Sequence, residues 1–267
     1  MGLCVGMLER STMNENHRKF VVDKLSIKVY ATRDQMGQAA GCLAAKAIAD
    51  CIARQGSARV IFAAAPSQNE TLATLMADPM VDWGKVTAFH MDEYIGLPVG
   101  AAQRFSHYLK ERVFDRVTFA AVHLLGLQPP ESDCENYAKL LAEKPIDVVC
   151  LGIGENGHIA FNDPPVVDFN DSQLVKIVTL EQACRQQQVN DGCFPNIDAV
   201  PEQALTLTIP ALMGAAMLVC TVPGRTKHKA VRATLNDEIS TRCPATILRT
   251  HENCTLFLDT DSFDGVE

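Results

Sequence analysis

Short apolar runs alternate along the chain with segments whose apolar positions recur at helical spacing. The run SIKVY at 26–30 predicts a strand. Thr32 then caps a predicted helix reaching about Gln55, with Met36, Ala40, Leu43, Ala47 and Cys51 on one face and Gly56 as its stop. RVIFAA at 59–64 predicts a strand, 69–76 a helix, and 86–91 a further strand that runs into Asp92. Helical spacing returns at 107–114, and a short strand is expected at 122–125. An amphipathic helix over 131–143 leads into the buried strand IDVVCL at 146–151. Residues 175–180 and 204–208 read as strands, MLVCTV at 217–222 as another buried one, 225–235 as a helix, and 255–258 as the last strand.

Strands that are apolar at nearly every position must be covered on both faces. Their alternation with helices predicts an α/β fold with a mostly parallel sheet and helices on both faces. In such sheets ligands bind outside the carboxyl ends of the strands. No internal repeat, low-complexity tract or linker breaks the pattern, so 26–267 is expected to form a single domain behind a loose N-terminal arm over 1–25.

Composition narrows the functional classes. The 267 residues carry 24 Lys+Arg against 32 Asp+Glu, a formal net charge of −8. That balance disfavours nucleic acid and anionic membranes as partners, and leaves a small anionic ligand to a few local donors. No apolar run reaches the roughly 18 residues of a membrane span. Of the ten cysteines, Cys42, Cys51, Cys150 and Cys220 sit inside apolar runs, and no C-x-x-C pair occurs. Reduced thiols and a cytoplasmic location are therefore expected. The first nine residues lack a basic n-region, so no signal peptide is expected. A homo-oligomer is compatible with these features.

Candidate chemistry gathers at predicted strand ends. In His90-Met91-Asp92-Glu93-Tyr94, two adjacent carboxylates cannot both enter a core. One can face a crevice as a general base while the other binds backbone or solvent; a solvated loop start is the plainer alternative. The stretch GIGENGHIAFNDPP at 152–165 follows a buried strand. Gly152, Gly154 and Gly157 allow tight turns and close backbone approach to a ligand, yet the motif is neither a Walker loop nor a dinucleotide fingerprint. His158, with Glu155 upstream and Asp163 downstream, offers an acid/base pair. A basic group comprises Arg185, Arg225, Lys227 and Lys229. Lys227, near a helix start after Gly224, suits a phosphate, whereas Lys229 and Arg232 fit a solvated face.

The motifs DEYIGLP (92–98), GIGENGHIAFNDP (152–164), VPEQALTLTIPAL (200–212) and VPGRTKHKA (222–230), in this order and spacing, resemble the glucosamine-6-phosphate deaminase (isomerase) family. The resemblance covers nearly all the chain from about Ser26. It implies a modified doubly wound fold and conversion of a phosphorylated amino sugar, glucosamine 6-phosphate, with water into fructose 6-phosphate and ammonia, without metal or organic cofactor. It implies catalytic roles for Asp92 as proton-abstracting base and His158 in ring opening, with Asn156 and Asp163 beside the histidine. Ser67, Glu93, Gly157, Arg185 and Lys227 are the implied substrate-binding residues, with Lys227 on the phosphate.

Three departures stand out. Asn156 replaces an aspartate, Asp163 is one methylene shorter than the usual glutamate, and the glycine-rich phosphate loop becomes Ala64-Ala65-Pro66-Ser67-Gln68-Asn69. Asn156 either tunes the histidine or merely fixes a turn that needs positive φ. Two rival functions follow. A 6-phosphogluconolactonase-type hydrolase shares the fold, but DEYIGLP and the intact FNDP favour the deaminase. A sugar-phosphate-binding regulator without catalysis is the rival from another class, kept open by Asn156.

Overall fold

The computed structural model describes residues 18–264. In chain order these form β1 (Arg18–Val22), β2 (Leu25–Tyr30), α1 (Arg33–Gln55), β3 (Ala58–Phe62), α2 (Asn69–Ala77), β4 (Val86–His90), β5 (Asp92–Tyr94) and α3 (Phe105–Leu109). Then come β6 (Ala121–Val122), α4 (Pro130–Ala142), β7 (Val148–Leu151), β8 (Val175–Thr179), α5 (Gln182–Asn190) and β9 (Gln203–Leu207). The chain closes with α6 (Ile209–Met213), β10 (Met217–Val222), α7 (His228–Asn236), β11 (Cys254–Asp259) and α8 (Thr260–Phe263).

Eight strands make one sheet in the order β1-β2-β11-β10-β7-β3-β4-β6, parallel throughout except for β1 against β2. Its centre is buried on both sides, as the unbroken apolar runs require. On β7, Val148 and Cys150 join the layer of Met36, Ala40, Ala44 and Ile48 from α1. Val149 and Leu151 join the opposite layer with Leu212 of α6 and Val231 and Leu235 of α7. The fold is thus α/β with helices on both faces. No helix among the described residues is long and apolar enough to cross a membrane.

The structure departs from the sequence reading in six places. Residues 18–22 lie inside the expected arm yet form β1, an edge strand whose Phe20 and Val22 lean on the core while Val21 is exposed. Its charged start hides the strand pattern until β2 supplies the pairing; residues 1–17 of that arm lie outside the described residues. On α1 the buried stripe runs through Ala44, Ala45 and Ile48, leaving Leu43 and Ala47 at its margin. Glycine takes it closer still, because a Cβ on Gly37 would stand 2.3 Å from Glu70 Cβ of α2. The segment expected as one helix over 107–114 is α3 followed by a wider π-helical turn over Lys110–Phe114. Only Ala121–Val122 pairs at the short strand expected over 122–125, and α7 is preceded by a tight turn over Arg225–Lys227. Lastly, β8 and β9 are not in the main sheet: with β5 they make a second, antiparallel sheet in the order β5-β9-β8.

From β3 the chain steps outward to β4 and β6, then returns to β7 on the other side and continues through β10 to β11. The β3/β7 boundary is the point where strand order reverses, and a crevice opens there at the carboxyl ends.

Candidate active site

That crevice is a cleft of about 350 Å3 walled by the turns after β3, β4, β7 and β10 and by α3 and the end of α5. The small antiparallel sheet fixes two of its walls together. Asp92, first residue of β5, stands opposite Thr206 of β9. Thr206 Oγ1 accepts the Phe161 N–H at 3.0 Å, and Leu207 donates its N–H to Met91 O at 2.8 Å. One strand therefore holds the segment carrying Asp92 and the segment following His158.

Asp92 lines the cleft and is 7% exposed. Burial, and then the charge of neighbouring Glu93, push its carboxyl well above the usual carboxylate range. Glu93 turns the other way. It is fully buried, accepts the N–H groups of Tyr94, Phe105 and Ser106 at 3.0–3.1 Å, and pairs with Arg104 at 3.3 Å. The expected substrate-binding role of Glu93 is corrected: it does not line the cleft but anchors the start of α3.

The glycine motif serves the histidine more than a ligand. A Cβ on Gly154 would meet the His158 ring at 2.2–2.4 Å, so only glycine leaves room for the imidazole. Gly157 has φ +86 and lies against Cys243, away from the cleft; its expected substrate contact is replaced by a turn role. His158 Nδ1 lies 2.8 Å from Asn156 Oδ1 and 3.0 Å from Asp163 Oδ1. Both are acceptors, so Nδ1 carries the proton and Nε2 is left for the cleft. Asn156 also accepts the His158 backbone N–H at 3.1 Å, and its amide donates to Asp163 Oδ1 and to Glu181 Oε2, both at 2.9 Å. Positive φ among described non-glycine residues occurs only at Asp23 and Ala160, so Asn156 does not serve a positive-φ turn; its side chain closes the turn on the His158 N–H and also meets the imidazole.

Burial is the largest influence on Asp163 and pushes its carboxyl up. The bonds and charge of His158, with the Asn156 and Cys184 bonds, outweigh it and leave the group below its ordinary value. His158, Asp163 and Cys184 bring three donor atoms within 4.8 Å of one another. Nδ1 and Oδ1 already share a proton, and burial holds the Cys184 thiol well above its ordinary value, so the trio is organised around a proton and not an ion.

Lys227 is 5% exposed and lines the cleft, and its ammonium forms no hydrogen bond or ion pair with any described residue. Burial lowers its pKa, against the pull of Asp191, Glu155 and Cys184. A buried, unpaired ammonium is costly unless an anion joins it. Ser67 also lines the cleft, in the turn that opens α2. Arg185 is elsewhere: its guanidinium holds Ile197 O and Val200 O at 2.8 and 2.9 Å, which corrects its expected phosphate contact.

Several cleft residues carried no signal in the sequence. Tyr108 of α3 reaches Ala65 O and Asn69 Oδ1 at 2.7 and 2.6 Å, and Arg112 stacks 4.0 Å over the Tyr108 ring. Gln187 of α5 accepts the Glu155 N–H at 2.7 Å and so fastens the glycine turn. The polar run QACRQQQVN shows no apolar periodicity, since α5 buries glutamines against the cleft and not against the core.

Residues 31–257 match the family model described as glucosamine-6-phosphate isomerases/6-phosphogluconolactonase. A glucosamine-6-phosphate deaminase of Streptococcus suis is 33% identical over 206 residues, 76% of this chain and 86% of that protein. One from Listeria monocytogenes is 31% identical over 209 residues, 78% and 87% of the two chains. Among solved structures, a monomeric glucosamine-6-phosphate deaminase superposes with a TM-score of 0.79 at 26% identity, over 88% of this chain and 98% of its own. A 6-phosphogluconolactonase from Thermotoga maritima shares the fold, with a TM-score of 0.71 at 20% identity over 88% and 100% of the chains.

Proposed function

The chain belongs to the glucosamine-6-phosphate isomerase/6-phosphogluconolactonase family, and from that premise we propose that it is a glucosamine-6-phosphate deaminase working in the cleft between Asp92, His158 and Lys227. One observation carries this reading: a carboxylate of raised basicity and a histidine of fixed tautomer share a cleft with an unpaired buried cation. Lys227 binds the substrate phosphate, with Ser67 beside it, and the phosphate restores the charge that burial disfavours. His158 Nε2 takes the proton of the C1 hydroxyl and delivers it to the ring oxygen as the bond from that oxygen to C1 breaks, which gives the open amino-aldose. Asp92 takes the proton from C2 and returns it to C1 while a proton passes from the amine to the C1 oxygen, leaving a C1 hydroxyl and an imine at C2. Water adds to C2, ammonia leaves, and the ketose phosphate remains. Each general acid–base step contributes about 10²–10⁴-fold. A cytoplasmic site of action completes the proposal, supported by nine described cysteines that are all free thiols.

Ammonia release from glucosamine 6-phosphate tests this directly. Turnover with equal amounts of ammonia and fructose 6-phosphate is expected. Hydrolysis of 6-phosphogluconolactone without ammonia release, or tight sugar-phosphate binding without turnover, would replace the reading with one of its rivals.

Lys227→Ala is expected to raise KM for the phosphorylated sugar tenfold or more, because a charge-assisted contact is worth about 1.5–3 kcal/mol. The preference for phosphorylated over unphosphorylated sugar should collapse with it. An unchanged KM would remove Lys227 from the phosphate.

A further inference from the structure

We propose that Glu181 is a positioning residue for His158, supplying through the Asn156 amide the outer carboxylate that fixes the imidazole. The inference rests on the deaminase reading for its kinetic arm but not for its spectroscopic one.

The Asn156 amide has one orientation that satisfies its surroundings. Its NH2 lies between two carboxylate oxygens, Asp163 Oδ1 and Glu181 Oε2, each at 2.9 Å. Its oxygen receives the backbone N–H and Nδ1–H of His158 at 3.1 and 2.8 Å. Rotating the amide by half a turn would set oxygen against two carboxylates and NH2 against two donors, four unfavourable contacts in a part-buried site. Asp163 alone cannot enforce this, because its Oδ1 also takes Nδ1–H directly. The Glu181 carboxylate hydrogen-bonds the amide and not the imidazole. Glu181 is the residue preceding α5, the helix whose Gln187 accepts the Glu155 N–H, so this one segment holds two adjacent residues of the turn before His158. A carboxylate at position 156 would bring three negative groups together, with neither Asp163 nor Glu181 receiving a proton from it. The neutral amide at 156 and the acid at 181 therefore form a matched pair.

Two readouts test the pairing. In 15N-histidine NMR, with His158→Gln assigning the resonance, wild type is expected to show His158 protonated on Nδ1. Glu181→Ala should bring a mixed tautomer, with kcat about tenfold lower and KM within twofold, as expected for coupled polar neighbours. Glu181→Gln, whose oxygen can still accept from Asn156, should restore the wild-type tautomer. Asn156→Asp alone should lower kcat at least tenfold, and adding Glu181→Gln should recover part of the loss. An unchanged His158 tautomer in Glu181→Ala, or simple additivity of Asn156→Asp and Glu181→Gln, would overturn the proposal. If no variant, wild type included, releases ammonia while the tautomer still shifts, the activity reading fails and the positioning role stands.

Discussion

Asp92→Asn is expected to lower kcat by about 10²–10⁴-fold while leaving sugar-phosphate affinity near wild type. The amide keeps the shape and the strand pairing with Thr206 but cannot accept a proton from carbon. The fold should not suffer, and the sign of the carboxyl's shift says why. Its pKa is raised in the folded state, so the stability tied to the proton is fully present below the unfolded value and is lost as pH rises through the folded one. Above that folded value the ionised group is a burden on the fold, and the neutral amide removes it. Thermal unfolding at pH 7 should give a Tm equal to or above wild type. The same shift sets the acid limb of the wild-type rate profile: activity falls as pH drops through the raised Asp92 value, above the usual carboxylate range. Near wild-type turnover in the variant would show that another group takes the C2 proton.

How much of this was legible in the sequence depended on how local its cause was. Strands β3, β7 and β10 were plain because both faces are buried, so each is apolar at almost every residue. The cap at Thr32 was plain because its oxygen accepts from Gln35 only three residues on. Asp92 and His158 both line the cleft because each follows the carboxyl end of a main-sheet strand, β4 for the first and β7 for the second. The partition into two sheets was not legible, since β8 and β9 carry the same alternation in either sheet and only long-range register decides. Glu93 and Arg185 were misassigned for a related reason. Each is a charged residue close in sequence to the cleft, yet each faces a partner on another segment, Arg104 for the first and the carbonyls at 197 and 200 for the second. Glu181 escaped notice because its effect on His158 passes through an amide 25 residues away.

Glu93→Ala is expected to be the most destabilising single change near the cleft. Glu93 is fully buried among four donors: three backbone N–H groups and the Arg104 guanidinium converge on its two oxygens. Arg104 is 2% exposed, and its remaining bonds go to Ser106 Oγ and to the carbonyls of Leu97, Leu125 and Gly126, so it cannot move to water without tearing those loops from α3. Removing one member of a buried pair leaves the other charge uncompensated, at a cost of about 3–5 kcal/mol. For a chain of this size that corresponds to a Tm lower by roughly 6–20 °C. Glu93→Gln should also destabilise, because its NH2 would face donors where an oxygen now accepts. Both variants carry a second signature. The Glu93 charge is one cause of Asp92's raised pKa, so its removal lets Asp92 stay ionised to lower pH, and the acid limb of the rate profile should move down. Chemical denaturation and a pH–rate series on the folded fraction measure the two effects separately. A stability loss below about 1 kcal/mol, the range of exposed ion pairs, would mean that the Arg104 carbonyl bonds suffice without Glu93.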